Sequence, residues 1–94
     1  MNTDWSNAYR LGFTGEINIY AAAELQLQVQ QALLAEGPIA VDLSAVSEID
    51  SVGIQQLLLL QRECLQTERA LRITAHSAAV EEVFHLLNLR ARFF

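Results

Sequence analysis

The fold is decided by residues Val41 to Gly53, which read V-D-L-S-A-V-S-E-I-D-S-V-G. The start of this stretch is apolar and partly β-branched, as in a buried strand, and its middle is acidic and polar, as in a turn. Ser51 then stands at the start of an apolar helix, where backbone N–H groups lack intrahelical partners and the helix dipole is positive. The stretch therefore predicts a strand, a turn over Ser44 to Asp50, and a helix that begins beside a serine hydroxyl.

The residues before this stretch predict one strand and one helix. Within Trp5 to Thr14, the alternation of Tyr9, Leu11 and Phe13 with polar residues or glycine predicts a strand that Gly15 is expected to break. An earlier edge strand is predicted around Trp5, with a turn at Ser6-Asn7. Apolar residues at three- and four-residue spacing predict a helix from Ala21 to Ala35. Gly37 and Pro38 then end this helix.

The residues around and after the stretch continue the alternation of strands and helices. Ile39 to Leu43 is the expected central strand, covered on both faces, and a helix follows from about Val52 to Gln66. A further strand is predicted over Leu71 to Ala75, and Ser77 is expected to cap a last helix. The tail from Arg90 to Phe94 is assigned a short strand.

This order of elements predicts an α/β fold. Strands that alternate with helices form a largely parallel sheet with helical crossovers. We expect about four to five mixed, mainly parallel strands with three to four helices, in a single domain over residues 1–94.

Composition and charge narrow the classes of partner. The formal net charge is −5, and all six basic residues are arginines, so nucleic acid and anionic membranes are not expected to bind. The N-terminus lacks the features of a signal peptide, and no apolar run reaches the roughly 20 residues of a membrane helix. Cys64 is the single cysteine and cannot form an internal disulfide. We expect a cytoplasmic protein.

The chain carries no pattern typical of a catalyst. It has neither of the glycine-rich motifs that bind nucleotide phosphates, and His76, His85 and Cys64 fall on different elements. Glu48 and Asp50 are ordinary capping residues before a helix. We therefore predict no catalytic residue, metal site or cofactor.

Three features leave alternatives open. Ser51 is either only the N-cap of its helix or a modification and docking site. Leu27 and Leu34, one heptad apart on the polar side of the first helix, are either tolerated surface residues or the contact of a homodimer. The apolar arc Leu57 to Leu60 is wider than one sheet face requires, which leaves room for a partner.

The run D-L-S-A-V-S-E-I-D-S-V-G-I-Q-Q-L-L, from Asp42 to Leu58, resembles the signature of the STAS domain, the family of anti-sigma factor antagonists and of sulphate transporter tails. In that family a strand ends in D-L-S and a helix opens with D-S-x-G-[LI]. The early F-T-G-E-I-N is similar to the family's L-x-G-E-L-D. The later R-I-T-A-H-S-A-A-V-E-E-V-F and L-L-N-L also agree, so the resemblance covers nearly the full length.

The resemblance implies roles for particular residues. In the antagonist branch of the family the serine after the aspartate is phosphorylated, and this serine corresponds to Ser51, preceded by Asp50 and followed by the tight-turn glycine Gly53. The family's loop aspartate is replaced here by Asn18, which removes one charge near the site. Val52 replaces a frequent small polar residue.

The resemblance also implies function. The first hypothesis is a non-enzymatic module that resembles anti-sigma factor antagonists. It would bind a serine kinase or anti-sigma factor of the histidine-kinase-like ATPase type and be released when Ser51 is phosphorylated. The N-terminus of the helix would accommodate the phosphate. The alternative is a constitutive subunit of an ABC-type lipid transport complex that binds the ATPase subunit, and a third hypothesis is a ligand sensor. The expected partner-binding residues are Glu16, Asn18, Glu48, Asp50, Ser51, Val52, Gly53, Gln55 and Gln56.

Overall fold

The computed structural model describes residues 3–94; Met1 and Asn2, with which the expected domain begins, lie outside the described residues. Strands and helices alternate through most of this range. In chain order the elements are β1 (Tyr9–Ile17), α1 (Ala22–Leu34), β2 (Ile39–Ile49), α2 (Ser51–Gln66), β3 (Leu71–His76), α3 (Ala78–Leu86) and α4 (Arg90–Phe93). Short 3-10 helices precede β1, at Trp5–Asn7, and α1, at Ile19–Ala21.

The three strands form one parallel sheet in the order β1-β2-β3, so β2 is central. The predicted α/β class, the parallel pairing and the number of helices are confirmed. Because each crossover between neighbouring parallel strands is right-handed, α1 and α2 lie on the same face of the sheet. The core forms there, where Ile39, Val41 and Leu43 of β2 are buried together with Leu60 of α2 and Phe84 of α3.

The opposite face of the sheet is open. Arg10 and Arg72 occupy paired positions on either side of Ala40, and both arginines are exposed, as is Asp42. The guanidinium of Arg72 lies 4.2 Å from the centroid of the Trp5 ring. The expectation that β2 is covered on both faces is therefore wrong, because both crossover helices lie on one side.

Within residues 3–94 the sheet has three strands rather than four to five. The region around Trp5 forms a 3-10 turn because the Asp4 carboxylate accepts a hydrogen bond from the backbone N–H of Ser6 at 3.1 Å. The tail forms α4 because its Phe93 ring packs against Phe84, with ring centroids 5.1 Å apart. Both expected terminal strands are thus replaced by helical turns.

The strands also run further than predicted, whereas α1 and α2 begin and end within two residues of their predicted limits. β2 continues through the expected turn to Ile49, with Val46 and Ile49 buried, and β1 continues to Ile17 across Gly15, whose φ is +75°. Ser77 caps α3 as predicted, since its hydroxyl accepts a hydrogen bond from the backbone N–H of Val80 at 3.2 Å.

Arg69, in the loop before β3, ties that loop to the end of α1. Its guanidinium donates hydrogen bonds to the carbonyl oxygens of Gly37 at 2.7 Å, and of Leu33 and Ala32 at 3.3 Å each. These are carbonyls at and just beyond the helix C-terminus, which a cation stabilises. None of the helices described over residues 3–94 has the combined length and apolar character of a membrane span.

Candidate functional site

The junction of β2 and α2 is built around Asp50. Its carboxylate accepts hydrogen bonds from the backbone N–H groups of Val52 at 2.9 Å and of Gly53 at 3.5 Å, and so caps α2. Its own N–H donates to the carbonyl of Ile17 at 3.1 Å, which fixes the cap to the end of β1. The N-cap is therefore Asp50, so the interpretation of Ser51 as the N-cap is wrong. Ser51 is the first residue of α2 and is exposed.

Gly53 sets how closely α2 approaches the strand ends. It is buried, and a Cβ atom added to it would lie 2.6 Å from Cγ2 of Ile17 and 2.7 Å from Cγ1 of Ile49. Ordinary carbon contacts are roughly 3.5–4.0 Å, so only glycine fits without displacement. The glycine is needed for close packing inside a helix rather than for a tight turn. It positions the exposed residues around it and is not itself accessible to a partner.

Asn18 organises the neighbouring loop. It has an extended backbone, and its side-chain oxygen accepts a hydrogen bond from the N–H of Tyr20 at 2.9 Å, which caps the 3-10 helix Ile19–Ala21. Asparagine and aspartate cap about equally well, so the departure from the family's aspartate removes a charge but keeps the turn. The capped turn leaves Ile19 and Tyr20 exposed beside the site.

The structure brings the predicted acidic residues together. Glu16 and Glu48 occupy paired positions on β1 and β2, and Glu48 lines a groove with Asn18 and Asp50. The opposite wall of this groove belongs to α3 and consists of Ala79, Glu82, Val83 and Leu86. No local sequence pattern predicts that α3 lines this groove, because the contact joins segments about 30 residues apart.

This group of carboxylates carries uncompensated negative charge. Among residues 3–94, Glu81 forms an ion pair with Arg90 and a hydrogen bond with His76. Glu16, Glu48 and Asp50 are exposed and have no cationic partner within that range. The end of the sheet beside Ser51 is therefore an acidic surface.

The remaining predicted residues follow α2 away from this groove. Gln55 is exposed and lines a second groove with Leu58, Leu59 and Arg62, whereas Val52 is half-buried. Gln56 is half-buried, and its buried Oε1 atom has no hydrogen-bond partner among the described residues.

The apolar arc of α2 belongs partly to the core. Leu57 and Leu60 are buried, Leu58 is half-buried, and Leu59 is exposed. Leu65 is 72% exposed. The outer side of the arc, together with Leu65, is thus an accessible apolar strip that begins about two turns after Ser51.

A sequence comparison identifies the family of the chain. A family model described as "Mlab, STAS domain" matches residues 2–91. The chain therefore belongs to the STAS domain family, and a single such domain accounts for nearly all of its length. This family is typically non-catalytic and points to a protein-interaction module. Comparison with curated protein sequences gives no match.

Proposed function

We propose that this chain is a protein-interaction module that docks through the start of α2, and that phosphorylation of Ser51 releases its partner. The docking surface consists of the half-buried Asn18 and the exposed residues around the Asp50 cap, namely Glu16, Glu48, Asp50, Ser51 and Gln55. The observation that carries the proposal is the position of Ser51. Its side chain is exposed at the first position of α2, directly after the capping aspartate, where a kinase can reach it.

The capping geometry supports a switch that acts by charge. A phosphate adds about −1.5 to −2 charge at pH 7. The N–H groups of Val52 and Gly53, which would otherwise attract it, already donate to the Asp50 carboxylate. The phosphate would share the helix end with one carboxylate and lie near Glu16 and Glu48. The added charge would therefore repel an acidic group of the partner and reshape the docking surface, and a loss of about 1.4 kcal/mol weakens binding tenfold.

The partner proposed for this switch is a serine kinase that also acts as an anti-sigma factor, of the histidine-kinase-like ATPase type. Such a partner would recognise Ser51 as substrate and the surrounding surface as binding site. No catalytic group is required of this chain, because the chemistry of phosphate transfer belongs to the partner.

Binding measurements with charge variants test the switch. We expect Ser51→Ala to bind the kinase as the unmodified chain does, and Ser51→Asp to bind at least tenfold more weakly. Gln26→Glu, which places one added charge on the exposed side of α1, is the matched control and should bind normally. Equal affinities of Ser51→Ala and Ser51→Asp would rule out the switch.

A second candidate function is a constitutive subunit of an ABC-type lipid transport complex, bound to the ATPase subunit. The accessible apolar strip on α2, with Leu59 and Leu65 exposed, favours it because permanent interfaces are larger and more apolar than transient ones. In that case Ser51 is an interface residue that stays unmodified. Leu59→Gln should then weaken ATPase binding, whereas a switch confined to the Asp50 cap predicts little change.

A further inference from the structure

An apolar stripe with a seven-residue repeat starts in the 3-10 helix Ile19–Ala21 and continues along the outer side of α1. Tyr20, Leu27 and Leu34 are 94%, 53% and 86% exposed, respectively. Residues seven apart lie almost above one another on a helix, and these three point away from the buried side formed by Leu25 and Val29. The stripe spans 14 residues, or about 21 Å of helix at about 1.5 Å per residue. That is the length of a short helix-to-helix contact.

The residues beside the stripe are almost uncharged. Glu24 is the only charged residue of α1, and the flanking positions near Leu27 and Leu34 include Gln30 and Gln31, both exposed. An anionic membrane would require cations here, and α1 has none. A chain of net charge −5 repels another copy of itself least through a face with few carboxylates; here Glu24 lies within α1, and the exposed Glu36 follows two residues after Leu34.

Antiparallel pairing of two copies matches the stripe to itself. With Leu27 opposite Leu27 of a second copy, a two-fold axis places Tyr20 opposite Leu34 at both ends. The same register places Glu24 opposite Gln30, so the two Glu24 carboxylates do not meet. We infer that α1 is a homodimerisation surface, in which two copies pair antiparallel through Tyr20, Leu27 and Leu34.

The inferred dimer is weak. One helix pair buries less than the roughly 1,200–2,000 Å² of stable complexes, so we expect a dissociation constant on the order of 100 µM. Because Asn18 lies at the N-terminal end of the stripe, the antiparallel dimer presents its two docking surfaces at opposite ends of the helix pair.

Charge pairs at the two-fold axis test this inference. Sedimentation equilibrium of the full chain up to about 1 mM should show the dimer. Either Leu27→Lys or Leu27→Glu alone should weaken the dimer affinity at least tenfold, because like charges would face each other across the axis. A one-to-one mixture of the two variants should form dimers again. Leu65→Lys, at a comparably exposed leucine of α2, is the matched control and should dimerise as the unmodified chain does.

The readout is self-association alone, so it does not depend on whether Ser51 is modified. Circular dichroism checks that each variant is folded, which we expect because Leu27 is largely exposed. A monomer at 1 mM, a loss of dimer in Leu65→Lys equal to that in Leu27→Lys, or a mixture that stays monomeric would each overturn the inference.

Discussion

Replacing Gly53 by alanine tests how the docking surface is positioned. The added Cβ would stand 2.6 Å from Cγ2 of Ile17 and 2.7 Å from Cγ1 of Ile49, about 1 Å inside ordinary contact. Both blocking atoms belong to β-branched side chains on separate strands, so neither can rotate away freely. The start of α2 must therefore move outward.

The expected cost follows from two opposing terms. Overpacking of a tight core position costs about 1–3 kcal/mol. Alanine is favoured over glycine in a helix by about 0.8–1.0 kcal/mol, and less in the first turn. We expect Gly53→Ala to lower the free energy of unfolding by about 1–2 kcal/mol, measured by urea denaturation followed by circular dichroism.

Two further variants make this prediction specific. At Gly12 an added Cβ meets nothing within 4 Å, so Gly12→Ala should be neutral or slightly stabilising. An Ile49→Ala background removes the close contacts with Ile49 but leaves Cγ2 of Ile17 at 2.6 Å, so the cost of Gly53→Ala should fall in part and not disappear. An unchanged stability of Gly53→Ala, or an equal cost in both backgrounds, would refute the packing argument.

Three other predictions concern the cap, the loop arginine and the buried thiol. Asp50→Ala should lower the free energy of unfolding by about 1 kcal/mol, because the N-cap is lost. Asp50→Asn retains an accepting oxygen and should lower the free energy of unfolding less. Thermal denaturation distinguishes the two variants. Arg69→Ala should cost about 1.5–3 kcal/mol because three carbonyls lose a charged donor, with Arg69→Lys intermediate, as urea denaturation would show. Burial raises the pKa of the Cys64 thiol. The contribution of this thiol to the free energy of unfolding should therefore be constant below the pKa of the unfolded thiol and fall as the pH rises above it. The folded chain should also react slowly with a thiol reagent at pH 8, and fast reaction would contradict burial.

The helices were predictable from the sequence because their signals are local. Apolar spacing and capping residues placed α1 and α2 within two residues of their observed limits, and Ser77 was identified as the cap of α3. The extent of β2 was not predictable in this way. Its exposed Ser44, Ser47 and Glu48 resemble a turn, because one face of the sheet is open to solvent and the strand there carries polar residues.

The candidate site was predictable only in part. The D-S-x-G pattern located Asp50 and Ser51, but the true role of Gly53 depends on its approach to Ile17 and Ile49, which belong to other elements. The groove wall supplied by α3 arises in the same way from tertiary packing. Sequence periodicity indicates which residues face a core, but it does not indicate which elements meet at the end of a sheet.

Partners are proposed to bind at the Ser51 surface. The most direct test is affinity purification of the tagged chain from its own cells, with Ser51→Asp and Gln26→Glu purified in parallel. Mass spectrometry then identifies the co-purifying proteins and any phosphate on Ser51. The account predicts a partner that is recovered with the unmodified chain and with Gln26→Glu, and that is depleted from Ser51→Asp. Phosphate on Ser51 with a kinase partner would support the switch, and stoichiometric transporter ATPase with unmodified Ser51 would support the constitutive subunit instead. Equal recovery of the partner with Ser51→Asp would contradict the claim that this surface is where partners bind.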